Sequence, residues 1–199
     1  MRYLQRALDL AEVRGYLRYP EVLAAHDRVP DWFRALGTDS GVAEFEARHG
    51  FQIPAAVREL YASLPLACFL EATIDGEVFL TDLATMIEGD PPPVVHWSAG
   101  PHMVFAFHSH SGMVFAAHLA ADDPLTHCGF DGDPEPITDE ERPPESFSAW
   151  VFGAVDGHEA RLDYWQGVYE KCRRDPAENA RIGGVEWVRS MPGMAQRLG

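Results

Sequence analysis

The sequence predicts an α+β fold: a single central, mainly antiparallel sheet of about five to six strands, flanked by N-terminal and C-terminal helices. Three observations predict it. Apolar residues recur at helical spacing before residue 64 and again after residue 147. Between them lie β-branched and aromatic runs broken by Gly, Asp and Pro turns. These runs follow one another directly instead of alternating with helices, which argues against a doubly wound α/β sheet.

The elements follow in order. Leu4, Leu8, Ala11 and Leu17 give a helix within 3–18. Pro20 starts a second, over 21–28, and Pro30-Asp31-Trp32-Phe33 a third turn. Asp39 or Ser40 serves as the N-cap of a helix running to His49 and stopped by Gly50. Pro54 opens the next helix, whose face carries Val57, Leu60, Tyr61 and Leu64. Residues 68–74 and 77–80 read as strands across an Asp75-Gly76 hairpin turn. Thr81-Asp82 caps a short helix, and Gly89-Asp90-Pro91-Pro92-Pro93 forces a loop. Strands are expected at 94–97, 103–108, 113–119 and 126–130, with His110-Ser111-Gly112 in a turn. Phe147, Trp150, Val151 and Ala154, then Leu162, Trp165, Tyr169 and Cys172, mark two closing helices. The expected organisation is an N-terminal helical extension (1–40), an α+β core (41–155) and a C-terminal helical extension packed on it (156–199).

Charge narrows the function. The 199 residues carry a net −15, with 31 acids against 16 bases. Nucleic-acid binders need cations to displace phosphate counterions, and anionic membranes attract basic segments, so neither partner is expected. The charge is also located. Residues 61–160 hold 17 acids and one base, Arg142, whereas 1–60 hold 9 against 8 and 161–199 hold 5 against 7. Such a block suits a basic protein partner through electrostatic steering. The loop acids Asp75, Glu77, Asp82, Glu88, Asp90, Asp122, Asp123, Asp131, Asp133 and Glu135 are the candidate contacts.

Catalytic patterns are missing. Six histidines (His96, His102, His108, His110, His118 and His127) fall within 32 residues, and in an acidic block they are expected to gain charge near pH 6. They do not match the spacing of a zinc motif. Asp131-Gly132-Asp133-Pro134-Glu135 fails as a calcium loop, with Pro136 where glycine and Arg142 where glutamate is required. Neither a nucleophile elbow nor a phosphate loop is present. No catalytic residue, metal or cofactor is assigned. Three scattered cysteines and a charged N-terminal stretch fit a cytoplasmic protein without a disulfide framework.

Two stretches resemble the SUKH superfamily. One is Val42-Ala43-Glu44-Phe45-Glu46-Ala47-Arg48-His49-Gly50-Phe51-Gln52-Ile53-Pro54 with the helix to Tyr61. The other runs from Val104 through Asp122-Asp123-Pro124 to Ser146-Phe147-Ser148-Ala149-Trp150. Ser63-Leu64-Pro65-Leu66 replaces the family's Asn-Gly-Gly turn, so this chain would be a divergent member. The resemblance implies a non-enzymatic α+β module of the bacterial toxin-immunity type that neutralises a toxin, often a nuclease; the acidic block makes the expected partner basic, and the chain is expected to be a monomer or a weak homodimer. The alternatives are a regulatory scaffold of the same fold and, from another class, a His-dependent metal hydrolase.

Overall fold

The structure, a computed structural model, describes residues 1–29, 31–73, 78–79, 94–108, 113–130, 133–137 and 143–199. The chain opens with helices α1 (Gln5–Val13), α2 (Pro20–Arg28), α3 (Asp31–Leu36), α4 (Asp39–His49), α5 (Ala55–Ala62) and α6 (Leu64–Thr73). Strands β1 (Val78–Phe79), β2 (Val94–Trp97), β3 (Gly100–His108), β4 (Met113–His118) and β5 (Thr126–Phe130) come next. Helices α7 (Phe147–Asp156), α8 (His158–Arg174), α9 (Pro176–Ile182), α10 (Val185–Arg189) and α11 (Met194–Leu198) close it. The Asp75-Gly76 turn, the helix after Thr81-Asp82 and the His110-Ser111-Gly112 turn lie outside the described residues.

The fold is α+β, with one antiparallel sheet between N-terminal and C-terminal helices. β1 and β2 both pair with one side of β3, at Phe107–His108 and at Gly100–Met103, while β4 takes its other side and β5 follows. Among the described residues, five strands thus make a sheet four positions wide. A bulge between Val104 and Ala106 interrupts the β3–β4 register. His102, Met103, Val104, Phe105 and Ala106 are all buried in succession, so both faces of β3 are covered along this stretch. Phe105 faces α7, with ring centroids 5.0 Å from both Phe147 and Trp150.

Three expectations are corrected. Residues 68–74 were expected as a strand, but through Thr73 they belong to α6. Leu66, Ala67, Cys68, Phe69, Leu70 and Thr73 are all buried, so this helix is apolar around most of its circumference. It lacks the 3.6-residue stripe that separates a helix from a buried strand. The helix expected within 3–18 ends at Val13; Gly15 takes a left-handed φ of 74°, and Tyr16–Arg18 form a separate 3-10 turn. The N-cap of α4 is Thr38, whose hydroxyl accepts from the Gly41 N–H at 3.1 Å, not Asp39 or Ser40.

The first 40 residues share the core of the sheet. Leu4, Ala7, Ala11, Tyr16, Val22 and Phe33 join Ile53, Leu60, Phe69, Met103, Phe105 and Phe147 in one buried cluster. The start of the chain is pinned by Glu59 on α5. Its carboxylate accepts from the backbone N–H groups of Arg2, Tyr3 (2.8 Å) and Leu4 (2.9 Å). Those bonds outweigh burial and hold the Glu59 carboxyl below its ordinary range. Glu59→Ala leaves the three donors without this acceptor and frees the α1 entry. A loss of about 2 kcal/mol is expected in urea unfolding, and an unchanged midpoint would refute the pin.

Helices α8, α10 and α11 form a second, smaller core around Leu162, Val188 and Met194. A polar network joins it to the N-terminal region. Tyr16 donates to Glu159 (3.0 Å), Arg197 pairs with Glu159 (2.9 Å) and Asp163, and Arg14 pairs with Asp156 (3.2 Å).

Candidate functional site

Two local constructions lie where the sequence placed its candidates: an acidic turn that joins helices, and a histidine-bearing sheet face under a proline-rich cover.

The turn is Asp122-Asp123-Pro124, after β4. The Asp122 carbonyl accepts from the Ala56 N–H (2.8 Å) at the start of α5. The Pro124 carbonyl accepts from the Phe147 N–H (2.7 Å) at the start of α7. Asp123 caps α7 with both oxygens, Oδ1 accepting from the Ser148 N–H (2.9 Å) and Oδ2 from its hydroxyl (2.5 Å). Ser146 adds the usual N-cap, accepting from the Ala149 N–H at 3.2 Å. A carboxylate at a helix N-terminus is favoured by the exposed N–H dipoles as well as by hydrogen bonding. Asp123 therefore holds the fold together. Asp122 is exposed, and the Tyr3 hydroxyl donates to it across 3.4 Å.

Beyond β5, residues 133–137 run back along the strand. The Ile137 N–H donates to the Cys128 carbonyl (2.8 Å), and the Ser98 N–H to the Pro134 carbonyl (2.9 Å). The Ser98 hydroxyl donates to Glu135. Further along, the Thr126 N–H donates to the Glu145 carbonyl (2.8 Å). These contacts occupy the outer edge of β5 at Thr126 and Cys128, which protects it from pairing with another chain. Asp133 and Glu135 stand exposed on this cover. Asp75, Glu77, Asp82, Glu88, Asp90 and Asp131 lie outside the described residues.

Under the cover, the sheet registers bring three of the six clustered histidines together. His102 on β3 faces His118 on β4, and His127 on β5 faces Ala116, two residues before His118. All three therefore share a face. The His102 ring centroid lies 4.8 Å from His118, 5.0 Å from His127 and 4.9 Å from Trp97. Trp97 reaches across Gly129, where a Cβ would meet the indole at 2.7 Å and Pro136 Cα at 3.3 Å. Only glycine lets the tryptophan lie this close to β5. His96 is exposed, and His110 lies outside the described residues.

Hydrogen bonds fix the tautomers. His118 Nδ1 accepts from the Ala120 N–H (3.1 Å), so its Nε2–H donates to the Ala99 carbonyl (2.8 Å). Both of its nitrogens are engaged. His102 donates through Nδ1–H to the Gly100 carbonyl (2.9 Å), which leaves a buried Nε2 lone pair without a partner. Among the described residues, no group of three or more His, Cys, Asp or Glu side chains is placed to hold a metal ion. The expectation that this cluster charges near pH 6 is corrected for its inner members. Burial lowers His102 to about 4, and burial with the neighbouring His118 lowers His127.

The sequence did not single out His158, which is also buried. Its ring lies 4.8 Å from Tyr16, 5.3 Å from Phe69 and 5.8 Å from Tyr19, and neither nitrogen has a hydrogen-bond partner. Burial, reinforced by Arg161, lowers it to about 4. Its isolation from the other histidines in sequence gave no signal.

No family model matches the chain, and neither a curated protein nor a solved structure does. Among the described residues, no helix is long and apolar enough to cross a membrane.

Proposed function

We propose that this chain is a non-enzymatic protein-binding module that engages a basic partner through its acid-rich central block. The observation that carries the reading is the separation of charge. Among the described residues, seven of the fifteen bases outside the block pair with acids that also lie outside it: Arg48 with Glu44, Arg58 with Glu46, Lys171 and Arg181 with Glu178, Arg173 and Arg174 with Glu170, Arg189 with Glu186; Arg14 and Arg197 reach Asp156 and Glu159 at the end of the block. Among the described residues, no ion pair reaches Asp122, Asp133, Glu135 or Glu145, all exposed. A surface of this kind attracts cations and raises the association rate of a basic protein.

The toxin-immunity reading rests on the SUKH resemblance. It draws support from the Asp122-Asp123-Pro124 turn: the Asp122 carbonyl accepts from the Ala56 N–H and ties the second resembling stretch to the helix of the first, while Asp123 and Pro124 bond within the second at the start of α7. A cationic nuclease toxin is the partner this reading names. A regulatory protein with a basic face is the alternative.

The test is affinity capture from the native host, with the captured protein then purified and titrated. The expected partner is basic and binds about tenfold more weakly at physiological than at low ionic strength. Asp133→Lys combined with Glu135→Lys flattens that salt dependence. An acidic partner, or binding indifferent to salt, overturns the proposal.

A further inference from the structure

We infer that His158 latches an acid-released arm: helices α8–α11 dock on the rest of the chain through this ring, and a proton on it favours their release about Gly157. Among the described residues, the two hydrophobic clusters do not cross the join. The main one ends at Val155, and the C-terminal one begins at Leu162. Gly157 alone separates α7 from α8, and glycine is the weakest helix former short of proline, so the junction can swing. A plug spans the join. The His158 ring enters the cage of Tyr16, Tyr19 and Phe69, and the Tyr16 hydroxyl donates to Glu159 beside it (3.0 Å). Tyr19 also closes on Gly193, where a Cβ would meet its ring at 2.7 Å.

The cage suits this ring only while it is neutral. His158 is buried and neither nitrogen has a hydrogen-bond partner, so an imidazolium there lacks both bonds that water supplies. The groups around it do not compensate. Arg14 faces it from the end of α1, Tyr16 and Tyr19 from the turn that follows, and the apolar Phe69 from α6. Glu159 and Arg161 face it from α8, and Arg197 from α11. Glu159 favours the charge, but its carboxylate is engaged by Tyr16 and Arg197, and the three guanidinium groups oppose it. Burial pushes both tyrosines up, so they stay neutral. Released, the ring regains water and its ordinary 6.5, against about 4 in the cage. The open form therefore binds a proton that the docked form refuses, and docking weakens as pH falls from 6.5 toward 4. Opening uncovers Tyr16, Tyr19 and Phe69, a surface closed at neutral pH.

The experiment is amide hydrogen exchange on the full chain at pH 7 and pH 5, in a series of urea concentrations below unfolding, with intrinsic rates corrected. Amides of α8 and α10 are expected to open with a weaker urea dependence than those of β3 and β4, as a unit of their own. Their opening constant rises about twentyfold from pH 7 to pH 5. His158→Phe keeps a ring in the cage and abolishes the rise. Tyr16→Phe removes the bond to Glu159, raises opening about fivefold at both pH values and leaves the rise intact. Exchange of α8 and α10 at the same opening energy and urea dependence as β3 and β4 overturns the inference. So does a separate opening that ignores pH, or a rise that survives in His158→Phe.

Discussion

Between pH 6.5 and about 4 the fold is expected to lose about 3 kcal/mol at His102 and a similar amount at His158. Both rings are buried, at 0% and 3% exposure, and burial is the main cause that lowers each from 6.5 to about 4. Above pH 6.5 both the folded and unfolded forms are neutral, so neither residue makes stability depend on pH. Between 6.5 and 4 the unfolded chain binds protons that the folded chain refuses, so stability falls as pH falls. Below 4 both forms are charged and the slope ends. For His102, the groups facing the ring are His118 and His127, which oppose its charging, and the Gly100 carbonyl, which assists it. For His158, Arg161, Arg14 and Arg197 oppose charging and Glu159 assists it.

Carboxylates complicate only the lower part of this window. Glu59 and Glu159 are held below their ordinary 4.5, so their contributions also disappear in acid, but below the range where the histidines act first. Protonating the exposed acids relieves repulsion within the block and acts in the opposite direction. The measurement is therefore the urea midpoint between pH 6.5 and 5. His158→Phe keeps an aromatic ring in the Tyr16–Phe69 cage and removes the titration. It should reduce the slope by about 1 kcal/mol per pH unit. A midpoint flat across that range in the wild-type chain would contradict the assignment of both rings as neutral.

The histidine face shows what the sequence conveyed and what it hid. The strands were legible because Val94, Val95, Val104, Phe105, Val114 and Phe115 have strong β preference and lie between turn residues. Helices α4 and α5 were legible from Gly50, Pro54 and the Val57–Leu60–Tyr61 stripe. Strand pairing was less so. The contact between His102, His118 and His127 depends on register, and a one-residue slip would send alternate members to opposite faces. The bulge at Val104–Ala106 is one such shift within β3 itself. Asp123 is a similar case. As a residue type it reads as a surface acid, and only the return of the chain at Ser146–Ser148 makes it a cap. His158 was hidden for another reason: its cage is assembled from Tyr16, Tyr19 and Phe69, residues about 90 to 140 positions away in the chain.

Phe69→Ala is expected to cost about 3–5 kcal/mol, among the largest effects of any single core truncation in this chain. Phe69 is 0% exposed and lies on α6, the segment whose uniform apolarity reads as a strand. It stacks on Tyr16 with centroids 5.3 Å apart and planes 4° from parallel, and meets the edge of His158 at 5.3 Å. Deleting the ring removes its transfer energy and opens a cavity under both neighbours, which Tyr16 cannot fill while its hydroxyl is bonded to Glu159. The same deletion loosens the desolvation that keeps His158 neutral. Its affinity for a proton then moves back toward 6.5, and the acid-induced loss at this residue shrinks. Two readings of one variant are thus linked: a lower urea midpoint at pH 7 and a shallower decline between pH 6.5 and 5. A Phe69→Leu control, which refills much of the volume with an apolar side chain, should recover part of both together. Were Phe69→Ala to lower stability while leaving the pH slope at its wild-type value, the cage would be a packing element and the neutrality of His158 would have another source.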